Sequence, residues 1–80
     1  MTVRVLLFAS YADALGASEV NLDLPSGSRV SDVLAAVQAM AKGKRIPDKP
    51  MMAVNKRYAR PDQAVSATDE VAIIPPVAGG

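Results

Sequence analysis

Few groups in this chain are able to do chemistry. The sequence has no cysteine and no histidine, which removes disulfides, thiol nucleophiles, imidazole bases and the usual zinc ligand sets. Acid–base work would fall to Asp, Glu, Lys or Tyr. The eight acids are Asp13, Glu19, Asp23, Asp32, Asp48, Asp62, Asp69 and Glu70. Most of them fall at expected caps, turns or outward strand positions, where solvated acids belong. Asp69 and Glu70 are neighbours, so a strand sends them to opposite faces and does not pair them. What remains is the end of the chain, which reads DEVAIIPPVAGG. Gly80 presents a carboxylate with no side chain beside it. Pro75 and Pro76 lack N–H donors, so they end a sheet and keep the backbone extended. Val77 and Ala78 add little bulk and Gly79 none, so such a tail threads a narrow channel that any Cβ would block. Either the end is a frayed terminus, or its carboxylate is the working group.

A tail needs a body to present it. Eighty residues with a net charge of +1 and half their number apolar make one small globular domain. No apolar stretch approaches the ~20 residues of a membrane span, and the N-terminus lacks the long apolar region of a signal peptide. The expected setting is cytoplasmic. VRVLLFAS reads as a strand with Val3, Val5 and Leu7 on one face and Arg4, Leu6 and Phe8 on the other. YADALG reads as a helical turn or two closed by Gly16. EVNLDL alternates strictly, with Val20, Leu22 and Leu24 inward. After the break at Pro25 and Gly27, Ser31 is the expected N-cap of a main helix, with Val30 stapling from outside and Asp32 at the positive end of the dipole. Val33, Leu34, Val37 and Met40 recur at helical spacing, and Gly43 supplies the stop. MMAV and RYA are short strands around a tight turn in which Asn55 takes a left-handed conformation. EVAII is the last strand. The fold class expected is α+β, a β-grasp, ubiquitin-like mixed sheet with one main helix on one face. The last strand lies parallel to the first at the sheet centre.

Two surface features follow. The basic residues Lys42, Lys44, Arg45, Lys49, Lys56, Arg57 and Arg60 face only Asp48 as an acid within their stretch. Such a cluster either keeps an edge soluble or meets an acidic protein partner. A single interleaved aromatic, Tyr58, gives no base-stacking platform, so no nucleic acid is expected. If the helix covers Val3, Val5, Leu7, Val71 and Ile73, then Leu6, Phe8, Ala72 and Ile74 share the opposite face as one apolar patch. That patch is a protein contact, unless a loop folds over it or the strand parity slips by one.

VRVLLFAS, AVNKRYA and above all DEVAIIPPVAGG, taken together, resemble the small-subunit family of molybdopterin synthase, the ubiquitin-like sulfur carriers often called MoaD. The resemblance runs the whole length. It implies a β-grasp domain over residues 1–74 and an extended tail over 75–80, with no catalytic constellation and no cofactor bound by the chain. It further implies that an E1-like adenylyltransferase uses ATP-Mg to adenylate Gly80, and that sulfur from a persulfide donor then replaces AMP to leave a thiocarboxylate. The tail, with Gly79 clearing its way, would enter the large synthase subunit and give its sulfur to cyclic pyranopterin monophosphate, in a heterotetramer. Pro75, Pro76, Val77 and Ala78 match the family's tail and Phe8 its apolar partner contact, with Leu6 and Ile74 on the same face.

Three rivals stay open at this point. A carrier for thiamine thiazole shares the fold and the Gly-Gly end, but is usually shorter and lacks the double proline. A ubiquitin-like modifier would be conjugated through Gly80 to lysines of other proteins. A plain interaction module would make no use of its Gly-Gly end.

Overall fold

The computed structural model describes residues 1–41, 44, 46, 47 and 49–76. Among these residues, five strands and two helices follow one another as β1 Thr2–Leu7, α1 Ala9–Leu15, β2 Glu19–Asp23, α2 Val30–Met40, β3 Met51–Val54, β4 Arg57–Tyr58 and β5 Glu70–Ile74. The sheet order is β2-β1-β5-β3-β4. β1 and β5 run side by side in parallel, while β2, β3 and β4 pair antiparallel with their neighbours. This is the expected mixed β-grasp sheet, with the last strand at its centre. No helix among the described residues is long and apolar enough to cross a membrane.

The parity of β1 and β5 follows from their alternation. Val3, Val5, Leu7, Val71 and Ile73 are all at most 3% exposed and meet Val33 and Val37 of α2 in the core. Val20 and Leu24 pack against this core and Leu22 is buried in it. Burying side chains of this size contributes about 1.5–3 kcal/mol each, and here they tie both central strands to one helix.

The two helices depart from the expected outline in instructive ways. α1 is a full helix beginning at Ala9, and it delivers Tyr11 completely buried into the core. Gly16 closes it at φ +66°, as its lack of a Cβ allows. The N-cap of α2 is Arg29, not Ser31: the Asp32 carboxylate accepts the Arg29 N–H at 2.8 Å. That bond starts the helix early and places Val30 within its first turn, 1% exposed, instead of outside it. The N–H groups of Val30 and Ser31 donate to the carbonyls of Gln63 and Pro61, so the exposed donors of the first turn are satisfied by the 60s loop. At the other end Met40 is half exposed, and Ala41 takes the buried position expected of it. The core stripe is therefore Val30, Val33, Val37 and Ala41, a slightly rotated face of the same helix. The expected stop at Gly43 lies outside the described residues.

Candidate functional site

The last strand positions the root of the tail. Val71, Ile73 and Ile74 are β-branched and favour the pleat, and Ile74 makes the last pairing, opposite Met51. Pro75 cannot donate to a further rung. It is buried where the ladder ends, and Pro76 is exposed. The expected tail residues Val77, Ala78, Gly79 and Gly80 lie outside the described residues.

The tail leaves from an apolar face. On the side away from α2, one rung of the sheet reads Leu6, Ala72, Ala53, Tyr58 from β1 to β4, through direct pairs of facing residues. Ala72 and Ala53 are the smallest side chains a strand can carry there short of glycine. The larger residues around them leave an open hollow of about 370 Å³, lined by Leu6, Phe8, Ala53, Tyr58, Ala72 and Ile74, with Lys56 and Glu70 also lining it. Phe8 is 46% and Tyr58 73% exposed. The expected patch of Leu6, Phe8, Ala72 and Ile74 is thus brought together. Ala53 and Tyr58 complete it, and neither was expected there. The signal was available in the turn: Asn55 and Lys56 both have positive φ, +52° and +70°, the conformation of a two-residue hairpin turn that sets Tyr58 opposite Ala53.

A polar margin bounds the apolar face. Arg4 reaches Glu19 at 3.0 Å and Glu70 at 3.4 Å, and its own pKa is raised mainly by the hydrogen bond to Glu19. Beside it, Asn55 stitches the hairpin to β5. Its Nδ2 donates to Asp69 Oδ1 at 2.8 Å, and its Oδ1 accepts the Glu70 N–H at 3.0 Å. Asp69 also accepts the Ser66 N–H at 2.8 Å. These bonds, the Ser66 backbone first, hold its carboxyl below the ordinary carboxylate value. Asp69 therefore serves as a turn acceptor and Glu70 as a surface ion-pair partner, on different neighbours. Of the basic stretch, Lys44, Lys49, Lys56, Arg57 and Arg60 are exposed, while Lys42 and Arg45 lie outside the described residues. The arrangement is suited to docking against a protein.

Known proteins share this plan. The molybdopterin synthase sulfur carrier subunit of Chlamydomonas reinhardtii is 35% identical over the full length of both chains. That of Arabidopsis thaliana is 33% identical over 98% of this chain and 82% of its own. Among solved structures, the small archaeal modifier protein SAMP1 of Haloferax volcanii superposes with a TM-score of 0.82 at 27% identity, covering both chains completely. The sequence pattern of the ThiS family matches residues 5–80, from the first strand through both terminal glycines, and the chain belongs to the ThiS family.

Proposed function

We propose that this protein is the sulfur-carrier subunit of a molybdopterin synthase and that Gly80 bears the sulfur. The observation that carries the reading is the course of β5, which lines the apolar hollow with Ala72 and Ile74 and leads directly into the tail. The two curated relatives support the same assignment by name.

The chemistry follows from the groups present. A free carboxylate is a poor electrophile, so the Gly80 carboxylate first attacks the α-phosphate of ATP in an E1-like adenylyltransferase, releasing pyrophosphate. The terminal sulfur of a persulfide donor then displaces AMP at the acyl carbon, and a thiol cleaves the acyl disulfide to free the thiocarboxylate. A carrier that holds sulfur in this form needs no cysteine, and this chain has none. Gly79 adds no side chain to the approach, and Pro75 and Pro76, which lack N–H donors, end the sheet ahead of it. Leu6, Phe8 and Ile74 seat the domain on the large synthase subunit, where the sulfur passes to cyclic pyranopterin monophosphate.

Intact-mass measurement after incubation with ATP-Mg, a matching activating enzyme and a sulfide source tests this. The expected gain equals the exchange of one oxygen for sulfur, localised to Gly80, and deletion of Gly80 abolishes it. No gain with an enzyme competent on another carrier would refute the reading. Adding the large subunit and the pterin precursor then separates molybdopterin formation from thiazole synthesis. The likeness to a small archaeal modifier protein favours one second reading, conjugation through Gly80. Isopeptide-linked adducts in the native cell would support it.

A further inference from the structure

Ala53, Ala72 and Tyr58 take no part in the chemistry of the tail, yet they give the open face its shape. On the covered side the same strands carry Met52, Val54, Val71 and Ile73, all buried in the core. On the open side their centre carries two alanines directly opposite each other, at Ala53 and Ala72. Central strands favour β-branched and aromatic residues, so two facing alanines leave a depression where a sheet of ordinary composition would be filled. Leu6 and Phe8 rise on one side and Tyr58 on the other, with Ile74 and the Lys56–Glu70 pair of charged residues also lining the hollow. An exposed aromatic beside a pocket is the usual anchor of a protein interface.

We propose that Ala53 and Ala72 are the floor of a socket that takes one bulky apolar side chain from the protein into which the tail inserts, and that Tyr58 is the wall that sets its fit. The inference rests on the carrier reading, which supplies the occupant. Its geometry rests on reach. Ile74 lines the hollow, Pro76 is two residues further on, and the four residues beyond Pro76 extend at most about 14 Å. A protein that holds the carbonyl of Gly80 at its reacting centre is therefore kept within that distance of the edge of the hollow, close enough for its surface to cover it. Lys56 and Glu70, of opposite sign, give the socket a polar side that orients the incoming chain.

Filling the floor and removing the wall test the socket. In the full-length chain, Ala72→Leu adds bulk into open space and Tyr58→Ala removes an exposed ring, so both variants are expected to keep the wild-type circular dichroism spectrum. Calorimetric titration with the large synthase subunit is expected to show at least tenfold weaker binding for each, and wild-type affinity for Tyr58→Phe. Should Ala72→Leu fail to fold, Ala72→Val and Tyr58→Ala carry the same test. Wild-type affinity in the filled and the truncated variants would overturn the socket, and if the wild-type chain still acquires sulfur the carrier reading survives. Weakened variants of a chain that never acquires sulfur would keep the socket and overturn the carrier reading. A wild-type chain that binds neither the large subunit nor an activating enzyme would overturn both.

Discussion

The covered and open faces of this sheet are made by the same strands, residue by residue in alternation, and they answer to different demands. On the covered face, Val3, Val5, Val71 and Ile73 are fully buried against α2. On the open face, Arg4 and Glu70 form an ion pair, Ala72 and Ala53 sit low, and Phe8 and Tyr58 stand out of the surface. Volume is filled on one side and left empty on the other. In a domain this small the difference is informative, because a chain of this length has little apolar surface to spare from its core. Apolar groups kept in solvent beside the end of β5 bury little surface on folding, and they form an exposed patch of the kind that marks protein contacts.

The largest effect expected is on the covered face. Ile73→Ala removes a fully buried side chain and is expected to cost about 2–5 kcal/mol, the range for truncations that leave a cavity in a packed core. Phe8→Ala, on the open face, is expected to change stability by less than about 1 kcal/mol while weakening partner binding. Chemical denaturation of the two variants in parallel checks the contrast. Equal losses would mean that the open face is part of the core and that the division between the faces is wrong.

This division was legible in the sequence to the extent that period-2 alternation specifies it. Val3, Val5 and Leu7 against Arg4, Leu6 and Phe8 gave the right faces, and so did Val71 and Ile73 against Ala72 and Ile74. The features that escaped depend on partners distant in sequence or on local competition for a backbone donor. Asp32 captured the Arg29 N–H, so the helix began ahead of the serine that looked like its cap. Met40 fits a helical stripe by spacing, but the face that meets the sheet is rotated toward Ala41. Tyr58 belongs to a strand of two residues, too short to show alternation, and its facing was set by the hairpin turn before it. The tail chemistry was read from composition and resemblance, since glycine and proline reveal what a segment permits more clearly than where it goes.

Tyr11 sharpens the comparison from the covered side, where one polar atom sits among apolar groups. Its ring is fully buried, its hydroxyl donates to the Pro47 carbonyl, and that hydroxyl oxygen accepts from Gln38 Nε2 at 3.3 Å. Proline offers no N–H, so the carbonyl is the backbone hydrogen-bonding group that Pro47 itself has to give. Tyr11→Phe keeps the packing and removes both bonds, and is expected to cost about 1–2 kcal/mol, chiefly by taking the hydroxyl donor from the Pro47 carbonyl. Denaturation against wild type reads the loss. No change would show that the buried ring, and not its hydroxyl, holds this region.

The smallest effect expected lies at the joint between Tyr58 and the central strand. Asp69 receives the Ser66 N–H and the Asn55 amide, and Asn55 fixes the turn that presents Tyr58. Because these donors favour the ionised form, the folded carboxyl titrates below its ordinary 3.8, whereas in the unfolded chain it returns to that value. On acidification the unfolded state therefore takes up the proton first. The stabilisation is complete above the ordinary value, declines as the pH falls below it, and is gone once the pH passes the lowered folded value. Solvent screening at this surface position keeps the effect small. Denaturation midpoints measured from about pH 5 down to about pH 3 are expected to fall more steeply for wild type than for Asp69→Asn. Parallel profiles would place the acid sensitivity on other carboxylates and leave the hairpin's position to its backbone pairing alone.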